Sequence, residues 1–171
     1  MSANDKKLYT DLDSAMKTMV KKETVLEEEF FEKVISMELA RVIRTSSCMC
    51  IGTINVNALI SSKTCENIKD KYGCICKSIE KLKGDIREND FIGWIKKNEE
   101  IGILFTGIKC DVEKILKKKL VDHLKSVVTN EDILTLALNI TKFPMDANNE
   151  KNENAVIVKT LFKKKKQYTK L

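Results

Sequence analysis

"ILTLALNITKF" (residues 133–143) and "ENAVIVKTLFKKKK" (residues 153–166) stand on either side of a polar gap near the C-terminus. In the first, Leu134, Leu136, Leu138 and Ile140 alternate with Thr135, Ala137, Asn139 and Thr141. Successive side chains of a strand point to opposite faces, so this alternation predicts a half-buried strand. The second piece is rich in β-branched residues and runs directly into Lys163, Lys164, Lys165 and Lys166. Together they read as a hairpin that ends in a charged arm.

Working outward from that pair, "DVEKILKKKLVDHLKSVV" predicts a helix with Val112, Ile115, Leu116, Leu120, Leu124 and Val127 inward, and Asp111 placed to cap it. "IGILFTGI" (101–108) reads as a strand. So do residues 50–60, where Ile54, Val56, Ala58 and Ile60 share one side. Residues 64–83 predict a helix through Ile68, Tyr72, Ile75, Ile79 and Leu82. The periodicity of 84–98 leaves its type open, with "DFIGWIKK" readable as a short helix. The first 46 residues predict two helices. "TVLE" (24–27) has the form of a capping box that starts the second, and Phe30, Phe31, Val34, Ile35, Leu39 and Val42 give it a broad apolar stripe. The expected fold class is α/β: a two-layer sandwich in the order strand–helix–strand–helix–strand–strand, preceded by a helical pair. The expected division is 1–46 as a helical extension and 47–171 as the α/β domain. A strand–helix–strand crossover sets the first two strands parallel.

At 171 residues, 43% hydrophobic and 33% charged, the chain has the composition of a globular domain large enough for a real core. It has no run of the length a membrane span needs and no apolar leader, which places it in the cytoplasm or nucleus. In those compartments the six cysteines read as free thiols. Cys48-x-Cys50 and Cys74-x-Cys76 lack the two-to-four-residue spacing by which structural zinc pairs reach one ion, so no metal is expected. His123 is the single histidine, and beside Asp122 on a helix it points away from its neighbour, which leaves no triad. "IGILFTG" lacks the lysine–serine or lysine–threonine end of a phosphate loop. The chain therefore reads as a non-enzyme with no catalytic residue and no cofactor.

The charge is unevenly placed. Residues 155–171 hold six lysines and no acid, which equals the +6 of the whole chain. A basic end on a neutral body is the footprint of a polyanion contact. Lys63, Lys109, Lys114, Lys117, Lys118, Lys119, Lys159 and Lys163, Lys164, Lys165 and Lys166 form the candidate nucleic-acid-binding set. Such lysines neutralise phosphates, and the scarcity of aromatic platforms favours shape and backbone contacts over base stacking.

"LISSK" (59–63), "EIGILFTG" (100–107) and "ENAVIVKTLFKKKK" resemble stretches of the Alba superfamily of chromatin and RNA-binding proteins. That resemblance implies a dimer binding RNA or DNA, RNA being favoured, through a basic surface and a hairpin arm. The N-terminal helices are left to hold a protein partner. The alternative is an assembly or adaptor subunit, of the vesicle-tethering kind or a viral interaction protein, with no nucleic acid.

Overall fold

The computed structural model describes residues 25–60, 73, 76, 79–80, 82–84, 86–109, 111–125, 134–135, 137–143, 160 and 162. They form helix α1 (Glu28–Thr45), strand β1 (Cys48–Asn55), a short helix α2 (Val56–Ile60), β2 (Phe91–Lys96), β3 (Glu100–Ile108), α3 (Glu113–Leu124) and β4 (Leu138–Phe143). Residues 79–80 and 82–84 are also helical. The four strands make one sheet in the order β2-β3-β1-β4, and every pair within it is antiparallel.

The α/β class with an N-terminal helix is therefore what the chain forms, but the order of elements is corrected. After α1 the described residues run strand–helix–strand–strand–helix–strand, and they form a hairpin, β2–β3, in the middle of the chain. Of the last strand expected, only Thr160 and Phe162 are described, and both are helical; the rest of it lies outside the described residues. The parallel first pair is corrected too, since β1 pairs antiparallel with both β3 and β4. "FIGWIK" is a strand and not a helix because both faces of the sheet are covered. Ile92 and Trp94 enter one core, while Ile95 enters the other and Gly93 lies beneath Phe31. A strand buried on both sides is an almost continuous apolar run, which carries no alternation to read. The alternating stretch near the C-terminus divides. Leu134, Thr135 and Ala137 are helical and only Leu138–Phe143 is a strand. Leu134, Ala137 and Leu138 enter the same core, and their spacing also fits one face of a helical turn. The strand expected over 50–60 stops at Asn55, whose side-chain oxygen accepts the Ala58 N–H (3.0 Å) as the chain turns into α2.

Helices lie on both sides of the sheet. On one, α1 presents Phe31, Ile35, Leu39 and Val42 at helical spacing to Met49, Ile51, Ile95, Leu104 and Phe143. Phe162, from the C-terminal segment, joins this core edge-on to Phe31 (ring centroids 6.5 Å, 69°). On the other, Leu120 and Leu124 of α3 and the helical Ile79 and Leu82 cover Cys50, Ile54, Trp94, Ile103 and Phe105. Ile115, expected to face inward, is 65% exposed. Neither helix uses the cap its sequence suggests: Glu27 and Val112 hold the N-cap positions of α1 and α3, without a side-chain cap bond at either. Thr24 lies outside the described residues. α1 starts late because 25–27 is otherwise engaged, with Leu26 bridging to Gly93 of β2 in parallel.

Candidate functional site

The tight turn before β2 is stapled from three directions. Arg87 N–H donates to Asp90 Oδ2 (3.1 Å), Asp90 N–H donates back to Arg87 O (2.9 Å), and Asp90 Oδ1 accepts the Thr106 N–H of β3 (3.0 Å). Thr106 Oγ1 in turn donates to Asn89 O (2.9 Å). Both carboxylate oxygens of Asp90 are thus spent on main chain, so Asp90 fixes the turn and leaves Arg87 at its edge. Beside this turn lies a cleft of about 250 Å³. Its apolar floor is Leu26, Ile86, Phe91 and Ile92, and its charged rim is Lys83, Arg87, Glu88 and Asp90. The Arg87 guanidinium makes no hydrogen bond or ion pair among the described residues. Phe91 keeps 38% of its surface exposed, more than most large apolar side chains here. A concave apolar floor with a few convergent polar groups is the usual build of a small-molecule site. This volume takes one ring system or phosphate group rather than a whole large ligand.

At the other end of β2, about 20 Å away at 3.3 Å per residue, the hairpin turns through 97–99. Asn98 has φ 65°. Glu99 pairs with Lys96, and Glu99 O accepts the Val56 N–H (2.9 Å) where β1 passes into α2. Asn55, Asn98, Glu99 and Glu100 meet here, but the arrangement is amide-rich and Glu99 is already paired. Among the described residues no three His, Cys, Asp or Glu side chains are grouped to hold a metal ion.

The lysines singled out from sequence are only partly placed. Lys109 follows β3, and Lys114, Lys117, Lys118 and Lys119 lie on α3. Lys114 and Lys118 are one turn apart and exposed, Lys117 is half-buried, and Lys119, also exposed, lines a small void with His123. Lys63, Lys159 and Lys163 to Lys166 lie outside the described residues. Sequence reasoning missed Arg87, Asp90 and Phe91, because they fall in the stretch whose type was left open. The free-thiol expectation is corrected at Cys48, which is disulfide-bonded, while Cys50 and Cys76 are free. Burial raises the thiol pKa of both, that of Cys50 to about 11. His123 is half-buried, and Asp122 pairs with Lys125 (3.6 Å). No described helix is long and apolar enough to cross a membrane.

No protein-family model and no curated protein matches the sequence. Solved structures do match, and the likeness is one of fold. The chain aligns with the diguanylate cyclase SiaD of Pseudomonas aeruginosa, solved with its activator SiaC, at TM-score 0.53 and 10% identity, over 94% of this chain and 65% of that one. The chain thus spans just under two thirds of that cyclase. Two GGDEF domains solved with c-di-GMP align less tightly. That of DgcB from Caulobacter crescentus gives TM-score 0.46 and 12% identity over 69% of this chain and 68% of that one. A microbial domain gives 0.48 and 11% over 80% and 85%.

This fold overturns the Alba-like assignment. The hairpin observed is β2–β3 in mid-chain, and the likeness of fold is to a diguanylate cyclase, not to an Alba-like protein. The nucleic-acid-binding function, RNA or DNA as partner, and the adaptor alternative fall with it. The exclusion of an enzyme is corrected as well, since a protein of this fold is a cyclase.

Proposed function

We propose that this chain is a guanine-nucleotide-handling domain that takes a cyclic dinucleotide, c-di-GMP, with one base or phosphate seated in the cleft beside Arg87. The observation that carries the reading is the Arg87 guanidinium, unpartnered among the described residues, at the rim of an apolar cleft with Phe91 exposed beside it. A guanidinium fork matches phosphate oxygens two at a time and equally matches O6 and N7 of guanine. The Phe91 ring offers a face on which a base stacks. Lys83 adds a second positive side chain to the same rim. The fold supports the ligand class, because SiaD, which aligns with it, is a diguanylate cyclase.

Calorimetric titration with c-di-GMP tests this, with cyclic di-AMP as the base control. c-di-GMP is expected to bind more tightly than cyclic di-AMP. Arg87→Ala is expected to cost about 10–100-fold in affinity, the worth of one good bidentate contact. Arg87→Lys should recover little of that loss, since an ammonium has no fork. No heat of binding at ~1 mM c-di-GMP, or an Arg87→Ala variant that binds like the parent, refutes the reading. The same protein with GTP and Mg²⁺, followed for pyrophosphate, separates synthesis from binding alone.

A further inference from the structure

The segment 25–28 ahead of α1 crosses the outer edge of β2 as a strap. Val25 is buried in the core on one face of the sheet, and Leu26 packs against the core on the other. Leu26 is held to the strand by main chain at both ends, its N–H donating to Ile92 O (2.8 Å) and its carbonyl accepting the Trp94 N–H (2.9 Å). The next two residues fasten the strap to the hairpin tip. Glu28 Oε1 accepts the Lys97 N–H, and Glu27 Oε1 lies 3.6 Å from Lys97 Nζ. Leu26 is also part of the floor of the cleft. One short stretch is thus at once the lead into α1, the cover of a sheet edge, a clamp on the hairpin and a wall of the site.

We infer that the strap is a ligand-linked closure: the cleft is complete only while residues 25–28 lie against β2, so a nucleotide bound there locks α1 and the hairpin tip together. This rests on the reading of the cleft as a cyclic-dinucleotide site. When the strap lifts, Leu26 leaves the floor, and the Leu26 and Trp94 amides lose their acceptors together. A ligand that binds only the closed form makes lifting rarer by a factor of 1 + [L]/Kd. Glu27 and Glu28 do not line the cleft, so removing them loosens the strap without touching the ligand.

The measurement is residue-resolved hydrogen exchange on the full chain, with c-di-GMP as the probe. At a hundred times Kd the Leu26 and Trp94 amides should slow by about a hundredfold. The Lys125 amide, at the last turn of α3, should keep its rate. In the Glu27→Ala/Glu28→Ala double variant the two strap amides should exchange on the order of tenfold faster without ligand, as fits the loss of a charge-assisted bond. Saturating c-di-GMP should slow them again by the same factor. If the parent binds c-di-GMP by calorimetry yet the strap amides keep or raise their rates, the closure is refuted and the binding site stands. If the parent binds none, both fall. If the double variant exchanges like the parent, the clamp is refuted.

Discussion

Gly93 and Gly102 are partners across β2 and β3, and together they make the slot in which the fully buried Phe31 ring lies. A methyl added at Gly93 would stand 2.6 Å from Phe31 Cβ and closer still to two ring atoms. Because Phe31 Cβ is fixed to the α1 backbone, the ring cannot swing clear, and the helix itself must move off the sheet. Overpacking of this kind costs about 3 kcal/mol, the upper end of the usual range. For a domain of this length that lowers Tm by about 6–12 °C. Phe31→Ala alone removes a buried ring and costs about 3–5 kcal/mol. In the Gly93→Ala/Phe31→Ala double variant the new methyl falls in the space the ring left, so the pair should cost no more than Phe31→Ala by itself. Equilibrium urea unfolding of the four proteins then gives a coupling energy of about 3 kcal/mol, at the top of the range for residues in contact. Gly102→Ala should cost less than Gly93→Ala, since it meets the far end of the ring and Ile95 at 3.0 Å. Additive single-variant costs, or a neutral Gly93→Ala, would refute the slot.

Burial holds the Cys50 thiol neutral in the folded state, with its pKa raised to about 11 from the ordinary 9.0. Its contribution to stability is therefore complete below pH 9.0 and lost as pH rises through about 11. Urea unfolding across that window should show a steeper alkaline decline in the parent than in Cys50→Ala; equal slopes would exclude it. At the hairpin tip, Asn98 has φ 65°, and its side-chain oxygen is buried with no partner among the described residues. Asn98→Gly should match or exceed the parent, while Asn98→Ala should fall below the glycine variant by about 1 kcal/mol or more, the cost of a Cβ in left-handed backbone. Thermal melts of the two variants, ranked in the opposite order, would contradict this.

Residue spacing by itself determined the parts of this protein whose neighbours are near in sequence. The stripe Phe31, Ile35, Leu39 and Val42 specifies α1, and Leu116, Leu120 and Leu124 specify α3, because a helix repeats its burial every three or four residues whatever it packs against. "IGILFTGI" likewise carried enough β-branched and apolar residues to be read as β3. Those elements sufficed for the α/β class.

The sheet order and the site were decided by tertiary structure. "FIGWI" has no readable period, and it is a strand only because α1 covers one face and the helical Ile79 and Leu82, with α3, cover the other. The alternation of 134–140 was no guide, since Leu134, Ala137 and Leu138 satisfy a helical turn and a strand start against the same core. The cleft joins Leu26 to Lys83, Arg87 and Phe91, more than fifty residues further along the chain, and no local pattern encodes such a meeting. It exists because the edge of β2 was left open and the 25–28 segment satisfied its main-chain groups: an unpaired strand edge must find hydrogen-bond partners, and where it finds them is a property of the fold.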